Sequence, residues 1–254
     1  MSNRFEGKKV LITGGTNGIG LATAARIAKE SGKVAVTGTS EKSLDRARQH
    51  LPDDAVLLVN DAGDPAAAKE LARIMKDEFG ELDAIYLNAG YGGQTPVGET
   101  SAEEFDQMMS VNVRGPVLQM NELAGLVKDG GSILMTSSVA PHLGMPAGSV
   151  YAATKACNAA MARNWARDMA PRNVRVNAVA PGPIATAFGE RYAEESNLTN
   201  DDMAAFFERI KTTVPLARMG TADEAAAVSC FLLSDDASYV TGSEYMVDGG
   251  MTMR

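Results

Sequence analysis

A short apolar run, Lys8-Lys9-Val10-Leu11-Ile12-Thr13, leads directly into Gly14-Gly15-Thr16-Asn17-Gly18-Ile19-Gly20 and then into Leu21–Ala28 with helical spacing. Strand, glycine-rich turn and helix in immediate succession limit the fold of this chain more than any other stretch, because that context makes a glycine motif credible as a dinucleotide site. Glycines at 14, 18 and 20 permit a tight turn and close backbone approach. The helix N-terminus that follows offers free N–H groups to a pyrophosphate. The spacing is G-x-x-x-G-x-G rather than G-x-G-x-x-G, and by itself it reads equally as an ordinary glycine turn between strand and helix.

The same alternation continues down the chain. Lys33–Gly38 reads as a second strand, a helix runs from about Glu41 to near Pro52, and Ala55–Val59 is a third strand. Pro65–Phe79 is a helix that Asp64 caps, with proline in its first turn. Asp83–Leu87 follows as strand, then Glu103–Lys128 as two helices or a bent one, interrupted at Asn112, Gly115 and Pro116. Ser132–Ser137, Val174–Val179 and Glu244–Val247 read as further strands; Ser149 to about Ala170 and Glu224–Leu233 read as helices. Strands and helices in alternation favour an α/β fold. The expectation is a single doubly wound Rossmann domain over residues 1–254, with a seven-stranded parallel sheet covered by helices on both faces. Residues 184–218, rich in Met, Phe, Tyr and charge, break the rhythm and read as a helical lid over substrate, or as packed surface helices.

Charge and composition exclude several classes. With a net charge of −8 and no block of Lys or Arg, the chain has no electrostatic footprint for nucleic acid or an anionic membrane. No apolar run approaches the roughly 20 residues that cross a bilayer, and the polar N-terminus is unlike a signal peptide. A cytoplasmic protein is expected. Cys157 and Cys230 have neither metal-ligand spacing nor a disulfide framework, and His50 and His142 are too few for a histidine site, so no metal is expected.

Tyr151 and Lys155 stand four apart in Ser149-Val150-Tyr151-Ala152-Ala153-Thr154-Lys155. On a helix these positions share a face, so phenol and ammonium project into one pocket. A neighbouring cation favours phenolate and lowers a tyrosine pKa from its usual value of about 10. A tyrosine so tuned exchanges a proton with a carbonyl or alcohol near neutral pH.

Taken with Thr13–Gly20, Leu87-Asn88-Ala89-Gly90, Ser138 thirteen residues before Tyr151, Asn112 in Ser110–Val113, and Pro181-Gly182-Pro183-Ile184-Ala185-Thr186, the chain resembles the short-chain dehydrogenases/reductases of the ketoreductase type over nearly its whole length. That resemblance implies an NAD(P)(H)-dependent oxidoreductase interconverting a ketone and a secondary alcohol. Tyr151 would be general acid in reduction and base in the reverse direction. Lys155 would lower its pKa and bond the nicotinamide ribose. Ser138 would donate to the substrate oxygen, and Asn112 would break its helix and hold a water that links Lys155 to solvent. Cofactor contacts are implied at Gly14, Thr16, Asn17, Gly18, Ile19 and Gly20, at Thr39 and Ser40, and at Asp61 and Ala62, where a carboxylate capping the next turn is the competing reading. They are also implied at Asn88, Ala89 and Gly90, at Tyr151 and Lys155, and at Pro181, Gly182, Ile184 and Thr186.

The residues after strand two, Thr37-Gly38-Thr39-Ser40, lack the carboxylate that would bind a ribose diol and repel a 2′-phosphate. The arginine common in NADP-dependent relatives is absent too. Thr39, Ser40 and Lys42 favour NADP(H), with NAD(H) as the alternative. Ser138, Met145, Tyr151 and Phe188 are expected to contact a small, partly apolar carbonyl or alcohol, bordered by Tyr91–Gln94 and Tyr192; His142 could reach it too but reads better as a surface-loop histidine. The resemblance further implies a homotetramer; Met161, Trp165 and Met169 suit either its interface or the intramolecular core. Two alternatives remain, a dinucleotide sensor without catalysis and a C=C reductase. The intact Ser138, Tyr151 and Lys155 speak against the first, and the three-residue gap between Tyr151 and Lys155 against the second.

Overall fold

A computed structural model describes residues 3–186 and 199–253. Among them β1 (Lys9–Ile12), β2 (Lys33–Gly38), β3 (Val56–Val59), β4 (Leu82–Leu87), β5 (Val127–Thr136), β6 (Arg175–Pro181) and β9 (Glu244–Val247) form one sheet in the order β3-β2-β1-β4-β5-β6-β9. Every pairing is parallel. β7 (Ile184–Ala185) and β8 (Gly220–Thr221) make a separate two-residue parallel pair that the sequence pattern did not announce.

Both faces of the sheet are covered, which is why its strands carry runs of apolar residues instead of a strict alternation. Leu11, Ile85, Ile133 and Val176 face α3 (Pro65–Phe79), α5 (Gly115–Leu123) and α6 (Ser149–Met169). Val10, Ile12, Val34, Tyr86 and Leu134 face α1 (Gly18–Lys29), α2 (Glu41–Arg48) and α8 (Ala222–Leu233). Met161, Trp165 and Met169 pack against the first of these cores.

Two boundaries differ from the sequence expectation. The helical stretch expected to reach Lys128 is α4 (Ala102–Met109), a π-turn (Ser110–Arg114), α5 and a 3-10 turn ending at Leu126. β5 then begins at Val127 rather than Ser132, because the ladder with β4 starts at Leu82↔Val127, skips, and resumes at Ala84↔Ser132. Gly130, at φ 80° in a region L side chains rarely adopt, and Gly131, where a Cβ would meet Lys128 O at 2.8 Å, absorb the extra residues. Asp64 accepts from Ala66 N and Pro65 opens α3, as the capping pattern requires. Within residues 184–218, α7 (Asn200–Thr213) is helical, and residues 187–198 lie outside the described residues.

Candidate active site

β1 is flanked by β2 on one side and β4 on the other, so the connections leave it in opposite directions and open a crevice at the C-terminal ends of the strands. The glycine turn lies on that edge. Gly14 and Gly18 have φ of 62° and 51°, and a Cβ on Gly14 would stand 2.8 Å from Ala89 Cα. At Gly20 it would stand 2.5 Å from Asn88 Nδ2. Asn88 Nδ2 donates to Gly14 O at 3.0 Å and Thr13 O at 3.2 Å, while Thr13 Oγ1 accepts from Asn88 N and Ala89 N at 3.1 Å each. The Asn88-Ala89-Gly90 segment is thus bolted to the turn.

The N-terminus of α1 has no side-chain cap at Asn17 and no acidic residue in its first turn. Uncapped N–H groups, a positive helix end and glycines that keep the approach open are the donor set a nucleotide pyrophosphate requires, so these residues fit a dinucleotide. Thr16 is buried against Gly38, Ile19 packs into the core, and the Thr186 side chain stands over Gly18, 3.3 Å from where its Cβ would be. Thr39 and Ser40 are exposed past β2, and Ser40 Oγ caps α2 by accepting from Ser43 N. Asp61 Oδ1 accepts from Gly63 N at 2.9 Å, which is the turn-capping role, beside the buried Ala62. Pro181 O holds Val139 N, Gly182 N donates to Val247 O, and Ile184 is buried.

Ser138, Tyr151, Lys155 and Asn112 come together on the same edge. Ser138 lies two residues beyond β5 and is 8% exposed; its Oγ accepts from Ala140 N. Tyr151 is in the first turn of α6, and its hydroxyl is hydrogen-bonded to Ser138. The Lys155 Nζ sits one turn on, 5.8 Å from the centre of the Tyr151 ring. Asn112 interrupts α4–α5 as a π-turn, the local break expected of it. Its amide is fully buried: Nδ2 donates to Tyr91 O at 2.8 Å and Thr154 Oγ1 at 3.1 Å, and Oδ1 accepts from Tyr91 N at 3.0 Å. Gly90 lies between the two, its missing Cβ 3.0 Å from Asn112 Oδ1 and 3.2 Å from Lys155 Nζ.

The electrostatics differ from the expectation that Lys155 lowers the tyrosine pKa. Although Tyr151 keeps some contact with the crevice, burial pushes its phenol up to about 12, the hydrogen bond to Ser138 opposing this. Lys155, 3% exposed, is brought down by burial to about 8. Burial is the first cause at both groups: the Nζ donates to Thr136 O at 3.0 Å and stands 5.8 Å from the centre of the Tyr151 ring, and desolvation outweighs any attraction between the two. At neutral pH Tyr151 is a neutral phenol with a proton to give.

Several supports escaped the sequence reading. Thr136 O accepts from both Lys155 Nζ and Asn158 Nδ2, and Thr136 Oγ1 lies 3.1 Å from Asn88 Oδ1, so one residue joins the lysine to the glycine-turn scaffold. Gly148 gives α6 no side-chain cap; Val150 N donates instead to Thr95 Oγ1, from the loop after β4. The buried Thr95 also bonds Ala147 O through its own N and Oγ1. Threonine as a cap is a recognisable signal only when it precedes its helix, and here it is 55 residues away. Among expected substrate contacts, Met145 is exposed on the loop before α6, and Phe188 and Tyr192 lie outside the described residues.

A protein-family model described as enoyl-(acyl carrier protein) reductase matches residues 14–252. The chain is 36% identical to levodione reductase of Leifsonia aquatica, over 99% of this chain and 96% of that protein. It is 35% identical to 3-oxoacyl-(acyl-carrier-protein) reductase of Thermotoga maritima, over 98% of this chain and all of that protein. The crystal structure of levodione reductase superposes with a TM-score of 0.92 at 35% identity, covering 98% of each chain.

Proposed function

Since the chain belongs to the short-chain dehydrogenase/reductase family, whose oxidoreductases use a nicotinamide nucleotide, we propose that it reduces the carbonyl of a small, partly apolar ketone with Tyr151 as proton donor, and oxidises the alcohol in reverse. The observation that carries this reading is the hydrogen bond between Ser138 and Tyr151 at the crevice mouth. Two hydroxyls converging on one point are what a carbonyl oxygen needs as it gains negative charge.

The nicotinamide nucleotide, when bound, supplies or accepts the hydride. Gly14–Gly20 and the start of α1 would hold its pyrophosphate, Asn88 would brace the backbone on that side while Ala89 and Gly90 leave room for a ribose, and Pro181–Thr186 would close over its nicotinamide end. Ser138 orients the substrate oxygen, and Tyr151, protonated at neutral pH, delivers its proton to that oxygen. Once Tyr151 has given up its proton it is reprotonated from solvent, through Lys155 and a water that Asn112 would hold beside Gly90. In the direction of alcohol oxidation Tyr151 must first lose its proton, and it then acts as the base. Residues 184–218 act as the lid over the substrate, and Met145 and Phe188 contact it.

NADP(H) is the favoured cofactor. The end of β2 presents Thr39 and Ser40 with Lys42 exposed beside them, and no carboxylate stands at positions 37–40. Glu41, the first residue of α2, is the acid against which this preference is weighed. Substituting Lys42→Glu lowers NADPH affinity and leaves NADH affinity in place if the phosphate is held here. No helix among the described residues is long and apolar enough to cross a membrane. Cytoplasmic location and a homotetramer complete the proposal, the latter checked by light scattering during size exclusion.

The description of the matching family model makes reduction of a C=C bond the second reading. Ser138 against the Tyr151 hydroxyl favours C=O, because a carbonyl oxygen brought beside the pair could accept from both hydroxyls in place of their mutual hydrogen bond. The deciding experiment follows NADPH oxidation with a panel of ketones and their conjugated enones, for the protein and for Tyr151→Phe. Ketone turnover lost in Tyr151→Phe with NADPH binding retained supports the proposal. Turnover of enones alone, or a phenylalanine variant as active as the parent, refutes it.

A further inference from the structure

The last strand of the sheet sends a carboxylate to the back of the site. Glu244 opens β9, paired with Ala178 of β6, in a strand whose other residues are Tyr245, Met246 and Val247. Its side chain is only 11% exposed. A carboxylate in such a place loses hydration, and it persists only where partners replace the water.

Those partners bracket Ser138. Glu244 Oε1 lies 2.6 Å from Ser137 Oγ, a short, charge-assisted contact, and Oε2 lies 3.2 Å from His142 Nε2. Ser137 immediately precedes Ser138, and His142 closes the 3-10 turn Ala140–His142 that follows it. Ser137 Oγ is also 3.0 Å from the carbonyl oxygen of Lys155. A hydroxyl has one proton and two lone pairs, so Ser137 shares a single proton between the carboxylate and the Lys155 backbone. One side chain therefore touches both ends of the segment that carries Ser138, and through Ser137 it reaches the turn of α6 that carries Lys155. The main-chain bonds Ser137 N to Val179 O and Val139 N to Pro181 O hold the backbone of this segment to β6 but leave its lateral position against α6 to side chains.

We infer that Glu244 is a positioning residue for carbonyl reduction, fixing Ser138 relative to Lys155 and Tyr151 from the far side of the sheet edge. The inference rests on the reading of Ser138, Tyr151 and Lys155 given above. The side-chain partners of Glu244, Ser137 and His142, belong to neither the glycine turn nor the start of α1, so its removal is expected to act on the chemical step rather than on the grip of the nucleotide there.

The test uses the full chain with Glu244→Leu and Glu244→Gln, measuring kcat and KM for a ketone the parent reduces, and the NADPH Kd by fluorescence. In Glu244→Leu kcat falls by about tenfold to a hundredfold, the range expected when a catalytic group is displaced by about an ångström, with the NADPH Kd unchanged. Glu244→Gln keeps an oxygen for Ser137 and recovers most of the rate, which a merely space-filling role would not distinguish from leucine. Ser137→Ala removes the same contact from its other end with little change of volume and carries the test if the leucine variant does not fold. A folded Glu244→Leu or Ser137→Ala with parental kcat overturns the inference, and so does a loss of kcat matched by an equal loss of NADPH affinity. Failure of the underlying reading looks different: the parent itself binds NADPH and turns over no ketone.

Discussion

Lys155→Met is expected to stabilise the nucleotide-free protein at pH 7 and to abolish its activity. The lysine is 3% exposed, and burial lowers its pKa from 10.5 to about 8. A gap of about 2.5 pH units corresponds to about 3.4 kcal/mol by which folding disfavours the charged amine. Methionine has nearly the same length and shape and carries no charge, so it escapes this cost. It also gives up the hydrogen bond to Thr136 O, worth about 1 kcal/mol for a neutral amine. That carbonyl is not orphaned, because Asn158 Nδ2 still donates to it at 3.0 Å. The net gain is about 2 kcal/mol at pH 7, or about 4–8 °C in Tm for a chain of this size.

The sign of the pH dependence follows from linkage. Between the folded pKa, about 8, and the unfolded value, 10.5, the unfolded chain holds more protons than the folded one. Stability of the parent therefore rises with pH across that window, while the variant lacks this contribution. The advantage of methionine shrinks from about 2 kcal/mol at pH 7 to near zero at pH 10, where about 0.8 kcal/mol of charge penalty remains against the lost hydrogen bond. Urea melts of both proteins at the two pH values measure it. A variant no more stable than the parent at pH 7, or a difference that does not change with pH, refutes the electrostatic account of Lys155.

Gly20→Ala places a Cβ 2.5 Å from Asn88 Nδ2 and 2.6 Å from Gly14 O, both held in the turn. It should cost about 1–3 kcal/mol in a urea melt and abolish NADPH binding by fluorescence titration. Thr95→Val removes the cap on Val150 N and should cost about 1 kcal/mol while lowering kcat for ketone reduction, whereas Thr95→Ser restores both. Cys230 is fully buried and its thiol is pushed up to about 12 by desolvation, whereas Cys157 is partly exposed. A thiol reagent at pH 8 should therefore titrate one cysteine in the native protein and two after denaturation; two reactive thiols in the native protein would contradict the packing of α8 against α1.

The glycine turn, the Asp64–Pro65 helix start and the Tyr151–Lys155 pair were legible because each lies within one element or one connection, where a fixed spacing implies a fixed geometry. The order of the strands was legible only as a class, since alternation implies a parallel sheet without naming neighbours. What the spacing of Tyr151 and Lys155 could not carry was the direction of their pKa values. Four residues on a helix bring two side chains to one face, but the spacing says nothing of how deeply each is buried, and desolvation sets the direction of both shifts. The start of β5 was missed for a related reason: the ladder to β4 tolerates a slip that Gly130 and Gly131 make inexpensive, and no apolar period marks it.

The catalytic edge of a doubly wound sheet is assembled from the ends of strands distant in sequence, so two kinds of residue meet there under different rules. The proposed proton donor Tyr151 and its neighbour Lys155 are carried on one helix, α6, and leave a spaced motif. Groups that hold them arrive from across the sheet and leave no spacing: Thr95 reaches α6 from 55 residues away, and Glu244 reaches Ser137 from 107. Such residues still carry one local sign, a polar side chain where the surrounding pattern calls for an apolar one. Glu244 shows it plainly. A strand ending in Tyr245-Met246-Val247 at the margin of a buried sheet has no use for a carboxylate unless something across the fold requires its charge, and desolvation makes an idle one costly enough that valine or threonine would serve better. The position of an acid in an apolar strand is thus the sequence trace of a contact, even though the partner can be read only from the fold.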